Sequence, residues 1–405
     1  MRILKVVQAY YPFQEKGGPV VKVRALANGL SRRGHQVTVL TADLGIKGHN
    51  GFRTQVERGP WGFRHREDQV ETIYLSTLGH RRALTFNPGV IGFCRESLDQ
   101  FDVVHFYGLY DLLGPAVGYF SRQQGIPYIV EPMGMFQPIV RSLRMKRAYH
   151  RVLGKPLVRG ARFLIATSRQ EKEELLAGGI DDSRVVVRRN GVDVPETLPD
   201  RGEFRRRWNI DAQTKVVLFL GRLVSKKSPD LLIEAFAAWR RNSAGTAEAV
   251  LALAGPKEEN DGYAGQLKQL AKKLDIAESV RMIGPLYDDA KWQAYRDADV
   301  FVLPSQNENF GNTAAESAAC GTPVIVTNRC GIASYVEGAG IVINHEVSEL
   351  ERALERVLGD SEFHQRCCLG CAEMAARLSW NGPLDEMEAV YFRCVSGNTA
   401  SRADR

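Results

Sequence analysis

Strand-like and helix-like segments alternate along almost the whole chain, and the alternation begins twice. The first round opens with a strand over residues 2–8 and a Gly-rich turn at Gly17-Gly18-Pro19. A helix follows, with Val20, Val23, Leu26, Ala27 and Leu30 at helical spacing. Gly34 ends it and Val37-Thr38-Val39-Leu40 reads as the next strand. Further apolar strands fall at 103–105, 128–130 and 163–166. The second round begins after a polar, Arg-rich stretch near 194–214. It runs through strands at 216–220, 249–254, 280–283, 300–303 and 323–326, with helices at 229–240, 263–274, 288–297 and 312–319 between them. Strands that each need a crossover helix before the next one form parallel, doubly wound sheets. The 405 residues are too many for one ordinary core. The expectation is an α/β chain of two Rossmann-like domains, residues 1–195 and 196–380, with ligands beyond the carboxyl ends of the strands.

Charge is unevenly spread. Residues 1–195 hold 29 Lys and Arg against 17 Asp and Glu, leaving 25 against 30 for the remainder. An acidic partner for the first half follows, whether a membrane surface, a phosphate-bearing acceptor or nucleic acid. Residues 141–162 contain eight Lys or Arg and no acid, with Leu143, Val152, Leu153, Leu157 and Val158 interspersed. Such a segment suits peripheral contact with anionic lipid, or is a solvated helix face; Pro156 is expected to split it into two short pieces. No regularly interleaved aromatics or helix-turn-helix string accompany the charge, which argues against nucleic acid. No apolar run approaches about 18 residues, and the N-terminus reads as a strand rather than a signal peptide. Seven scattered cysteines suggest cytosolic thiols and a cytoplasmic protein. His364, Cys367, Cys368 and Cys371 share one helix, a poor cage for a tetrahedral metal.

Three clusters carry chemistry. Pro304-Ser305-Gln306-Asn307-Glu308-Asn309-Phe310-Gly311-Asn312-Thr313-Ala314-Ala315-Glu316 follows a strand and enters a helix. Gly311 permits close backbone approach, and the N–H groups near Asn312, Thr313 and Ala314 form an anion site. Glu308 in the loop can accept hydrogen bonds from sugar hydroxyls, and Glu316 can reach a ribose diol. Next, Gly221-Arg222-Leu223-Val224-Ser225-Lys226-Lys227 places cations just past a strand, where they can hold a diphosphate. Last, Gly17 and Gly18 would let backbone approach a phosphate or sugar, although an ordinary strand–helix turn carries the same pair. Asp297-Ala298-Asp299 matches a D-x-D metal string, but it joins a helix end to a buried strand and reads as structural.

These clusters make the chain resemble the family 4 retaining glycosyltransferases of the GT-B fold, over nearly its whole length. Glu308 to Glu316, followed by Gly321-Thr322-Pro323-Val324, is similar to that family's E-x7-E motif and trailing strand. Residues 221–233 resemble its "GRL…K…LI" segment, Asn190-Gly191-Val192-Asp193 its "NGVD" junction, and Gly34-His35-Gln36-Val37-Thr38-Val39 its second strand. Ser379-Trp380 resembles the "SW" before a last helix, here about 381–396, that crosses back onto the first domain. The resemblance implies two domains facing across a cleft, a nucleotide diphosphate sugar as donor, no metal or other cofactor, and retention of configuration. It implies that Glu308 contacts the hexose, that Glu316 contacts the ribose, and that Arg222 and Lys227 hold the diphosphate. Gly17 and Gly18 would sit near the phosphates. Glycan or lipid-linked acceptors of polysaccharide or cell-envelope assembly are the expected partners. The family's His-x-His-Gly string reads His105-Phe106-Tyr107-Gly108 here, so His105 matches only its first histidine. His105 is therefore either an acceptor-side catalytic residue or a satisfied core histidine. A nucleotide-sugar epimerase of the same fold and a non-catalytic nucleotide-sugar or nucleic-acid binder remain the alternatives.

Overall fold

The computed structural model describes residues 1–13, 18–48, 50–81, 84–137, 143–242, 248–256 and 262–403. The chain divides into two compact units, Met1–Asn190 with Trp380–Arg405, and Gly191–Ser379. The division falls at Asn190/Gly191 rather than 195/196.

The first unit is built from β1 (Arg2–Val7), α1 (Gly18–Arg32), β2 (Gln36–Ala42), the short α2 (Asn50–Arg53), β3 (Glu57–Gly59), β4 (Gly62–Glu67), β5 (Val70–Leu75) and a ribbon of β6 (Gly79–Arg81) and β7 (Leu84–Phe86). It continues through α3 (Gly89–Glu96), β8 (Val103–Tyr107), α4 (Leu113–Gln123), β9 (Tyr128–Glu131), α5 (Leu143–Tyr149), α6 (Lys155–Gly160), β10 (Phe163–Ala166), α7 (Arg169–Ala177) and β11 (Val185–Val187). Its main sheet runs β11-β10-β9-β8-β1-β2-β5-β4-β3. It is parallel except where β4 pairs antiparallel with β5 and β3. The second unit holds α8 (Glu203–Arg207), β12 (Lys215–Leu220), α9 (Pro229–Asn242), β13 (Ala249–Ala254), α10 (Tyr263–Lys273), β14 (Val280–Gly284), α11 (Asp288–Asp297), β15 (Val300–Leu303), α12 (Asn312–Ala319), β16 (Val324–Thr327), β17 (Gly340–Ile343), α13 (Val347–Gly359) and α14 (Ser361–Arg377). Its sheet, β14-β13-β12-β15-β16-β17, is parallel throughout. The last helix, α15 (Asn381–Ala403), belongs to the first unit and runs past the expected end at 396.

Each sheet is buried on both faces, which is why its central strands read as unbroken apolar runs. In the second unit, Val216, Leu218 and Phe301 look toward one helix layer and Val217, Phe219 and Val302 toward the other. In the first unit, α15 covers the face also lined by α1, placing Leu384, Met387 and Tyr391 against Ile3, Val7 and Leu26. Among the described residues, no helix is long and apolar enough to cross a membrane. Pro156 does not split the basic segment. A π-turn over His150–Gly154 joins α5 to α6, with the N–H of Lys155 bonded to the carbonyl of His150. The wider turn delivers Pro156 into the first turn of α6, where its missing N–H costs least.

The first unit also buries a charged cluster. Glu131, at the end of β9, receives Nη2 of Arg188 on both carboxylate oxygens at 2.8 Å and the ammonium of Lys22 from α1. Lys5, in mid-β1, donates to the hydroxyls of Tyr107 at 2.6 Å and Tyr391 at 3.3 Å. Burial favours a neutral Glu131, but Arg188 and then Lys22 outweigh it and hold the carboxyl below its ordinary value. The cations outnumber the one carboxylate. Burial, followed by repulsion from Arg188, lowers Lys5 to about 7, and burial lowers Lys22 to about 8.

A lysine depressed in the folded state binds its proton more tightly once unfolded. Stability therefore rises with pH between about 7 and the unfolded value of 10.5. Urea unfolding is expected to show wild-type stability increasing from pH 7 to 9.5, by up to about 1.4 kcal/mol per pH unit for each such proton. Lys5→Met should flatten part of that slope; a wild type of constant stability across the window would contradict the assignment.

Candidate active site

The second sheet reverses its winding at β12, whose neighbours β13 and β15 lie on opposite sides. A crevice opens beyond the carboxyl ends of strands at such a point. Two sequence-predicted clusters emerge there, Gly221–Lys227 from β12 and Pro304–Gly311 from β15. Pairing of Val217 with Val300 and Leu218 with Phe301 fixes their relative register. Beyond the strands, the N–H of Gln306 bonds to the carbonyl of Lys226 at 3.0 Å. A short 3-10 turn over Ser225–Lys227 and Ser228, at φ +49°, aim Lys227 across the gap. Its ammonium meets Glu308 in an ion pair. A second backbone layer holds Glu308 from the other side: its N–H bonds to the carbonyl of Arg329, and its carbonyl accepts from Gly331, both at 3.0 Å. Burial would raise the Glu308 carboxyl. The charge and hydrogen bond of Lys227, the charge of Lys226 and the Phe310 N–H outweigh that and keep it below its ordinary value. Glu308 is thus a fixed anion, able to accept hydrogen bonds and unsuited to donating a proton.

Gly311 starts α12 at φ +113°, and a Cβ there would come within 2.8 Å of Ile332 Cγ2. Glycine is required by both conformation and space. The N-cap of α12 is Gly311, which has no side chain to serve as a cap, and the positive end of the helix dipole faces the loop beside Asn312 and Thr313. Phe310 is buried beneath the loop, its ring 6.2 Å from that of Tyr335. Glu316 lies one turn further on. Its two oxygens accept from Lys291 Nζ at 2.8 Å and the Tyr295 hydroxyl at 2.9 Å. Burial, then the Glu316 charge, push the Tyr295 phenol well above its ordinary value, so it remains a donor. Neither Lys291 nor Tyr295 was among the expected site residues. Their i, i+4 spacing on α11 was the available signal, since that spacing puts both on one helix face.

Gly221 and Gly255 lie side by side at the ends of β12 and β13. The N–H of Gly221 bonds to the carbonyl of Ala254 at 3.0 Å. A Cβ on Gly255, at φ +145°, would lie 1.8 Å from the Gly221 carbonyl oxygen. The sequence reading missed Gly255, which keeps the start of the Arg222–Lys227 loop in place.

In the first unit, Gly18 opens α1 and is exposed, whereas Gly17 lies outside the described residues. His105 corrects an expectation. It is completely buried, its Nδ1 2.7 Å from the Tyr391 hydroxyl and 2.9 Å from that of Tyr107. Strand alternation turns its ring inward, toward α15. Burial, then Lys5 and Arg188, hold it well below its ordinary value and keep it neutral. Its Nε2 lies 3.7 Å from a Glu131 carboxylate oxygen, so the ring sits in the core of the first unit. Asp297 and Asp299 are structural: Asp297 accepts from the N–H groups of Gly202 and Arg205, and Asp299 from Arg205, Lys215 and the N–H of Val216. Among the described residues, no His, Cys, Asp and Glu group has the arrangement of a metal site. His364 Nε2 meets the carbonyl of Asp299 at 2.9 Å, and Cys367 and Cys371 are buried thiols.

Two family models match in sequence order. Residues 17–191 match the glycosyl transferase 4-like domain and residues 200–368 the glycosyl transferases group 1 domain. The D-inositol 3-phosphate glycosyltransferase of Nocardiopsis dassonvillei is 30% identical over 94% of this chain and 91% of its own. That of Kineococcus radiotolerans is 29% identical over 96% and 93%. The chain belongs to the group 1 glycosyltransferases. Solved structures agree on a GT-B fold. Sucrose-phosphate synthase from Thermosynechococcus elongatus matches with TM-score 0.73 at 19% identity over 98% of this chain and 99% of its own. HepE of Anabaena, solved with UDP and glucose, matches with TM-score 0.75 at 18% identity over 96% and 99%. The second unit of this glycosyltransferase thus brings Glu308 and the basic loop together at one strand-end crevice, with Glu316 on the adjoining α12.

Gly255→Ala is expected to lower stability by about 2–4 kcal/mol, because strained φ and backbone overlap act together. Gly221→Ala, whose new Cβ meets only the Phe219 ring at 3.5 Å, should stay within about 1 kcal/mol. Denaturant midpoints check both, and equal effects would contradict the packing described.

Proposed function

We propose that this glycosyltransferase moves a hexosyl group from a nucleoside diphosphate sugar, UDP- or GDP-linked, to a glycan or lipid-linked acceptor of polysaccharide or cell-envelope assembly. The reaction retains the anomeric configuration and uses no metal. The observation that carries the reading is the meeting of Lys227 and Glu308 at the switch point, close to the start of α12. A cation, a helix N-terminus and a fixed carboxylate side by side suit a diphosphate joined to a polyhydroxylated ring.

In this reading the diphosphate lies against Arg222, Lys227 and the first turn of α12. The ammonium of Lys227 moves from carboxylate to phosphate as the donor enters. Glu308, freed of its ion pair but still held by backbone, accepts from hexose hydroxyls. Glu316 accepts from the ribose diol, its orientation set by Lys291 and Tyr295. The acceptor oxygen bonds to the anomeric carbon on the face the diphosphate leaves. The carbon–oxygen bond to phosphate breaks, and the departing phosphate oxygen takes the acceptor proton. Arg222 and Lys227 offset the charge that grows on the leaving group. No protein base is needed at the acceptor, which agrees with a buried, neutral His105.

Structural neighbours solved with UDP or UDP-glucose support this choice of donor. The excess positive charge of the first unit and its segment 141–162 favour an acceptor presented at an anionic surface, with the enzyme working from the cytoplasmic side.

UDP or GDP is expected to raise the melting temperature as mass action requires, with the cognate base giving the larger shift. Glu316→Ala should weaken that nucleotide about tenfold, through loss of charged hydrogen bonds. Lys227→Ala should lower kcat about 100-fold or more. A folded protein that responds to no nucleotide would overturn the reading.

A further inference from the structure

The basic segment is a single ordered element. The π-turn makes α5 and α6 one continuous helix over residues 143–160. One side is built into the first unit: His150, Gly154, Leu157 and Val158 are buried. Leu157 fits against α4 where Gly118 leaves room, since a Cβ there would lie 2.6 Å from Leu157 Cδ1. The other side carries Arg144, Arg147, Arg151, Lys155 and Arg159, all exposed and three or four residues apart. Two large apolar side chains stand among them: Met145 is 52% exposed and Val152 is 67% exposed. Neighbouring α4 adds Tyr119, 52% exposed, and exposed Arg122.

The segment itself supplies no acid to offset these cations. Between Asp102 and Glu171 the chain has two carboxylates, Asp111 and Glu131, and both are buried. A solvated helix face ordinarily mixes both signs and keeps valine and methionine inside. Here the helix itself carries no carboxylate, and Met145 and Val152 stand exposed among its cations.

We propose that the outer face of the 143–160 helix, with the adjoining face of α4, docks on an anionic phospholipid bilayer. The arginines and lysine meet the headgroup phosphates, while Met145 and Val152 enter the acyl boundary. Cations alone would suit any polyanion. The projecting apolar side chains favour a bilayer, which has an apolar layer within reach of its charges. A rigid helix already folded against α4 loses no conformational entropy of folding on contact, unlike a disordered basic tail. The proposal deepens the acceptor half of the functional reading, by placing the enzyme where lipid-borne acceptors lie, and is independent of the donor site.

The test is co-sedimentation of the full chain with vesicles of phosphatidylcholine alone, or with one part in three replaced by phosphatidylglycerol, at physiological ionic strength. Binding to the anionic vesicles is expected, at least about tenfold tighter than to the neutral ones. The triple variant Arg144→Glu/Arg147→Glu/Arg151→Glu should lose about 100-fold, at about fivefold per cation. The indole of Val152→Trp should shift to the blue on anionic vesicles and be quenched by brominated acyl chains. Absence of binding to anionic vesicles, equal binding to neutral ones, or an indole unmoved by lipid would overturn the proposal, as would binding to heparin or RNA in place of vesicles. Retention of the nucleotide-induced thermal shift in each variant shows that the fold and donor site are intact. A wild type that binds vesicles but no nucleotide would sink the donor reading alone.

Discussion

Parallel pairing of β12 with β15 is the constraint on which the candidate site depends. The two strands are distant in sequence, and only the reversal of winding at β12 makes them neighbours. Each strand ends in a loop of opposite charge, and the fixed register brings Lys227 to Glu308 without a special connection. Everything else near the site refines that meeting. Gly255 admits the Gly221 carbonyl, Gly311 turns the chain into α12, and the residues after β16 pair with the Glu308 loop from behind. An ion pair in a half-buried crevice contributes little net stability once desolvation is counted. Its significance is positional: it holds in the ligand-free protein the two charges that a diphosphate and a sugar would engage.

The first unit handles charge differently. Its carboxylate, Glu131, is wholly enclosed with Lys5, Lys22 and Arg188, and α15 supplies Tyr391 to the same cluster. That cluster joins strands from the middle of the sheet to the last helix of the chain. It also withdraws His105 from solvent. The outward charge of the unit lies elsewhere, on the 143–160 helix, whose own segment contains no carboxylate. One unit thus contains a cationic cluster sealed in its core and a cationic face open to a partner.

Much of this was legible in the sequence because fully buried parallel strands write themselves as apolar runs. The central strands of both sheets, the turn at Gly311 and the acidic and basic loops were all read from local pattern. The antiparallel extension β3–β4 was not. Its residues, such as Gly62-Phe63-Arg64-His65-Arg66-Glu67, are half-exposed and charged, so neither strand alternation nor a buried run is visible. β11 and β17 are apolar but are short edge strands, too brief to show a pattern. Lys291 and Tyr295 share a helix face by their i, i+4 spacing, but their partner, Glu316, lies on another helix, so the spacing alone does not name the contact. His105 shows the limit of a motif match. The family string placed it at a strand end, but which way its ring turned depended on α15, almost 300 residues later. The continuity of the helix across Pro156 was equally unreadable, since a π-turn leaves no compositional mark.

The most direct test of the central claim is an experimental structure of the chain with its cognate nucleoside diphosphate bound. The account predicts the diphosphate within hydrogen-bonding distance of Lys227, Arg222 and the first N–H groups of α12, the ribose hydroxyls on Glu316, and the Lys227–Glu308 ion pair opened. A nucleotide seated elsewhere, or one bound with Lys227 still paired to Glu308 and out of reach of phosphate, would contradict it.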